Sequence, residues 1–73
     1  MAKRELLVKF RGKRSQREMA DLYDVSQQVW SRWENGIATP SVINMKRLET
    51  DIGKPMEKIF FDVFNTHKVS KRA

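Results

Sequence analysis

Apolar residues come in short bursts at three- and four-residue steps, each fenced by polar or glycine-bearing stretches. That is the period of an amphipathic helix, not of a strand. Leu6, Leu7 and Phe10 make the first burst and predict a helix over 3–11, with Lys3, Arg4 and Lys9 on its other faces. Met19, Leu22 and Tyr23 make the second, with Ala20 beside them, small enough to let another helix approach closely. Val29, Trp30 and Trp33 make the third, and Val42, Met45, Leu48 and Ile52 the fourth. Met56, Ile59 and Phe60 make a short fifth.

The residues between the bursts say where helices start and stop. Gly12 ends the first helix, and Lys13-Arg14 form the connection. Ser15 followed three residues later by Glu18 is a capping box, opening a helix that runs to Leu22 or Tyr23. Asp24 falls in the turn, where a positive φ is expected. Ser26 is a second N-cap, for a helix over about 27–35, and Gly36 suits the left-handed residue that stops it. Either Thr39 with Pro40 at the first helical position, or Ser41, caps the fourth helix; Gly53 terminates it and Pro55 opens the fifth. Beyond Phe60 the helical period is lost, and Phe61, Val63 and Phe64 are expected to form a short strand or an aromatic hook onto a partner. The expectation is a compact all-α, five-helix domain over 3–61, followed by a tail over 62–73 that is partly extended or disordered, with its last six residues frayed.

A chain of 73 residues makes one small domain and must use most of its apolar side chains in the core. It has no cysteine, which removes disulfides and thiolate metal sites and fits a cytoplasmic setting. The opening apolar run, Leu6 to Val8, is broken at Lys9, too short for the core of a signal peptide, and no run approaches membrane-spanning length. The net charge is +6, concentrated in Lys3, Arg4, Lys9, Arg11, Lys13, Arg14 and Arg17, with Lys68, Lys71 and Arg72 as a second group. A polyanionic partner follows: nucleic acid ahead of an anionic membrane surface.

No catalytic residue, metal ligand, cofactor or small-molecule ligand is expected. The single histidine, His67, stands in the polar tail, the carboxylates are scattered, and no glycine-rich phosphate loop is present. The third helix, by contrast, leaves Gln27, Gln28, Ser31 and Arg32 on its outer side. A helix fits the DNA major groove; Gln can bond adenine through N6 and N7, and Arg can bond guanine through O6 and N7. Val29, part-exposed, can meet a thymine methyl. Lys13, Arg14, Gln16 and Arg17, at the start of the second helix, suit a backbone phosphate. Trp30 and Trp33 are read as core, with a sugar–phosphate edge as the other possibility for Trp33.

Residues Ser15 to Gly36 resemble the helix-turn-helix of the Xre/Cro–CI family of phage repressors and their bacterial relatives. Ser15-Gln16, Met19-Ala20, Val25-Ser26 and Glu34-Asn35-Gly36 carry the resemblance, joined by Thr39-Pro40-Ser41 and the apolar positions from Val42 to Phe60. It covers about residues 6–61. It implies a lambda-repressor-like DNA-binding domain in which Gln16 bonds a phosphate, Gln27, Gln28 and Arg32 face the groove, and Asn35 lies near phosphate. It also implies that Glu34 pairs with an Arg ending the first helix: Arg11, or Lys9 in that place. Asp24 stands where the family favours Gly, Glu49 where a small apolar residue is usual, and the two tryptophans are bulkier than the common Ile or Leu. The implied function is a transcriptional regulator, a repressor binding double-stranded DNA as a homodimer on an inverted repeat. The alternative is an antitoxin or protein-interaction module that uses the aromatic tail.

Overall fold

The computed structural model describes residues 3–64, whose regular elements are all helices, with no strand among these residues. In order, α1 spans Glu5–Arg11, α2 Gln16–Leu22, α3 Gln27–Glu34, α4 Val42–Ile52 and α5 Met56–Ile59. The expected frayed end, His67 and the second basic group lie outside the described residues.

Local chemistry explains most of the boundaries. Ser15 Oγ accepts from the Glu18 amide at 3.0 Å while Glu18 Oε1 accepts from the Ser15 amide at 2.8 Å, completing the capping box. Ser26 Oγ accepts from the Val29 amide and Ser41 Oγ from that of Asn44, so Ser41, not Thr39, caps α4. At the end of α3 the Ile37 amide reaches the Arg32 carbonyl and the Gly36 amide that of Trp33, with Gly36 at φ 73°. This is a Schellman close.

The same close ends α2, with an unusual residue in the left-handed position. The Val25 amide donates to the Ala20 carbonyl and the Asp24 amide to that of Asp21, with Asp24 at φ 55°. An L side chain there is strained, and Asp relieves the strain less well than Gly. Asp24 is exposed, so its side chain contributes no core packing. Asp24→Gly is therefore expected to stabilise the domain by about 0.5–1 kcal/mol. Thermal melts check this, and a lowered melting temperature would show that Asp24 has a stabilising partner.

The core gathers Leu7, Met19, Ala20, Tyr23, Trp30, Trp33, Met45, Leu48, Ile59 and Phe60. α3 packs chiefly on α2, α1 lies against α3 and α5, and α4 lies against α5. Tyr23, Trp30 and Trp33 pack ring to ring at centroid separations of 5.5–6.5 Å, so both tryptophans are core residues. The Tyr23 hydroxyl donates to Asp51 on α4, and burial with that bond pushes the phenol up. Glu49, half-buried on α4, accepts from the Met56 amide at 3.2 Å and so caps α5 across the connection.

Four expectations from the period need correction. Leu22 and Val42 are not core residues: they are 52% and 71% exposed. Leu22 lies one step off the Met19–Tyr23 stripe, and Val42 is the first residue of α4, ahead of the inward stripe that starts at Met45. Arg4 is not on an outer face but 1% exposed. Residues 61–64 form a helical turn rather than a strand or hook, with Val63 and Phe64 packed against the core.

Candidate nucleic-acid interface

Ser26 fixes the start of α3, and the apolar face Val29, Trp30, Trp33 fixes its roll on α2. What remains outward is polar. Gln27, Gln28 and Arg32 are exposed and Ser31 is half-buried. These four and Gln16, the first residue of α2, line one shallow open hollow. Five side chains from two helices thus converge on a surface rich in amide, hydroxyl and guanidinium groups.

The other sequence-designated residues are placed differently. Val29 is half-buried and packs against the core. Lys13 and Arg17 are exposed beside the start of α2. Arg14 is exposed but folded back: its guanidinium donates to the carbonyls of Phe10 at 2.7 Å and Arg11 at 3.3 Å, and lies over the Phe10 ring. It serves the open end of α1, a position where cations are favoured. The Asn35 amide nitrogen donates to the Ser31 carbonyl at 2.9 Å, so it too is engaged within the protein.

Beneath the hollow lies a buried carboxylate. Glu34, 1% exposed, accepts four hydrogen bonds. Its Oε2 takes Arg11 Nε at 2.7 Å and Trp30 Nε1 at 2.6 Å. Its Oε1 takes Gln16 Nε2 at 3.0 Å and Arg11 Nη2 at 3.3 Å. Arg11, not Lys9, is therefore the partner, and the same carboxylate holds the Gln16 amide at the rim of the hollow. The bond from Trp30 has no analogue in a chain carrying an aliphatic residue there, and nothing in helical periodicity announces it.

Burial pushes the Glu34 carboxyl up, but the bonds from Arg11, Gln16 and Trp30, with the Arg11 charge, outweigh it and hold the group below its ordinary 4.5. A carboxyl depressed on folding stabilises above its unfolded pKa and loses that contribution as pH falls through the folded value. The Arg4 hydrogen bonds hold Asp62 low in the same sense. The melting temperature is thus expected to fall as the pH is lowered through and below the ordinary carboxylate range, with a shallower slope in Glu34→Gln. Identical slopes would remove Glu34 from the acid response.

Among the described residues, no cluster of His, Asp and Glu could hold a metal ion, and no helix is long and apolar enough to cross a membrane. A capped pair of helices crossing at a tight turn, with the second one's polar face outward, defines the DNA-binding helix-turn-helix class. A family model described as Helix-turn-helix, of the Xre/Cro–CI type, matches residues 4–59, and the chain belongs to that family of DNA-binding regulators. No curated protein and no solved structure gives a significant match.

Proposed function

We propose that the protein is a sequence-specific transcriptional regulator that inserts α3 into the DNA major groove, acting as a cytoplasmic repressor without a cofactor. The observation that carries this is the convergence of Gln16, Gln27, Gln28, Ser31 and Arg32 on one hollow, in a chain of net charge +6. Gln27 and Gln28, in the first turn, reach deepest and read base edges; Ser31 and Arg32, one turn on, read the next pairs; Val29 offers its methyls to thymine. Lys13, Arg17 and the second N–H of Gln16 hold phosphate, with Arg14 and Asn35 adding charge and dipole from their bonded positions. Two copies on an inverted repeat, about one helical turn apart, would place both helices on one face of the duplex.

Gln28→Ala is expected to lose about 1–3 kcal/mol on the preferred duplex and to relax preference at one base pair. Arg17→Ala should weaken binding to every sequence and flatten the salt dependence. Footprint titrations in which Gln28→Ala matches wild type would refute the role given to α3.

A further inference from the structure

Arg4 lies outside the helix-turn-helix, yet it finishes α3. The last carbonyls of a helix have no partner within it. Here the Ser31 carbonyl takes the Asn35 amide and the Arg32 carbonyl takes that of Ile37. Arg4 serves the two nearest the end: its backbone N–H donates to the Glu34 carbonyl at 2.7 Å, and its Nη1 donates at 3.0 Å to that of Trp33, which also takes the Gly36 amide at 3.4 Å.

All five guanidinium N–H groups are in use. Nη1 also reaches the Ala38 carbonyl at 2.8 Å, and Nη2 reaches Thr39 Oγ1 at 3.3 Å. Nε and Nη2 grip the two oxygens of Asp62 at 2.9 and 2.8 Å, and the group lies 5.0 Å from the centre of the Phe60 ring. One side chain thus ties the end of α3, the loop after it and the turn over 61–64. A guanidinium keeps its charge at any accessible pH, so burying it demands a counterion. Among the described residues its ion-pair partner is Asp62, 58 positions away in the chain.

We infer that Arg4 is a positioning residue for the DNA-reading helix and that Asp62, by supplying its counterion, controls how firmly the end of α3 is held. The inference rests on the proposed DNA-binding role of α3. Without the Asp62 charge, Arg4 must turn toward water and release the Trp33 and Ala38 carbonyls. The start of α3, fixed by Ser26 and by packing on α2, stays in place. The effect falls on the far turn, where Arg32 stands, so the cost appears in recognition and not in general attraction to DNA.

The test compares wild type with Asp62→Asn in the full chain, by amide hydrogen exchange and by titration of two duplexes, one selected and one scrambled. In the variant, the Gly36, Ile37 and Ala38 amides should exchange about tenfold faster, with Tyr23 and Val25, at the end of α2, unchanged. Binding to the selected duplex should weaken about three- to tenfold, with the scrambled duplex bound as before. Exchange that is unchanged, or faster everywhere alike, would overturn the hold of Asp62 on α3. Faster local exchange with unchanged binding would overturn the positioning role. A wild type that prefers neither duplex would sink the DNA reading instead, and the exchange comparison would still decide whether the clamp exists. If Asp62→Asn melts too low to use, Arg4→Lys, which keeps the charge and loses the fork, is read in the same way.

Discussion

Glu34→Ala is expected to cost about 3–5 kcal/mol of folding free energy. The carboxylate is 1% exposed and satisfies donors from three residues on three helices. Removing it strands them unequally. The Arg11 side chain is 24% exposed and can recruit water, as can Gln16 at the rim of the hollow. The Trp30 N–H is buried at 0% exposure and cannot, so it bears the full penalty of an unmade bond. A domain of this size holds only about 5 kcal/mol or somewhat more in total, so the variant should be largely unfolded at moderate temperature. Urea titration followed by tryptophan fluorescence measures this; a loss below about 1 kcal/mol would mean that the network is replaceable by solvent.

Trp30→Ala carries a penalty of similar size, about 3–5 kcal/mol, for a different reason. The indole fills the space between Tyr23 and Trp33, at 5.6 and 5.5 Å from their rings, and its loss opens a cavity where α2 meets α3. Part of its contribution is the bond to Glu34, so the two substitutions should not add: the double variant should lose less than the sum of the singles. Strictly additive losses, measured in the same urea titrations, would show that the indole packs without the carboxylate's help. Both substitutions are expected to loosen the packing of α3 on α2, and with it the pose of the helix proposed to read DNA.

What could be read from residues alone was the chemistry that acts over a few positions. Ser15 with Glu18, Ser26, Gly36 and Gly53 mark the helix ends because caps are local bonds, and Asp24 has the positive φ that its turn demands. The outward row of α3 was legible for the same reason, and the structure brings four of its residues together with Gln16. The rest depended on placement across the chain. Whether Arg11 or Lys9 met Glu34 turned on the path of the Gly12–Arg14 connection, where Gly12 takes φ 60°. Arg4 precedes its helix and answers a carboxylate at the other end of the domain, so no periodicity could bury it. Leu22 and Val42 keep helical spacing yet stand at helix ends, where the stripe leaves the core. Arg14 and Asn35, expected near phosphate, also bond carbonyls nearby, those of Phe10 and Ser31, which no period could show. The turn over 61–64 is too short for any period to show.

These contacts frame the proposed reading surface. Glu34 holds Gln16 from below, Arg4 closes α3 from behind, and Gln27, Gln28, Ser31 and Arg32 line the hollow with Gln16; these four, with Val29, are the side chains proposed to meet bases. Selection of binding sites from a random pool of duplex DNA tests that claim most directly. Enrichment of two inverted half-sites about one helical turn apart is expected. Gln28→Ala should select the same site with one position per half-site relaxed. Failure of the wild type to enrich any sequence would contradict the role proposed for α3.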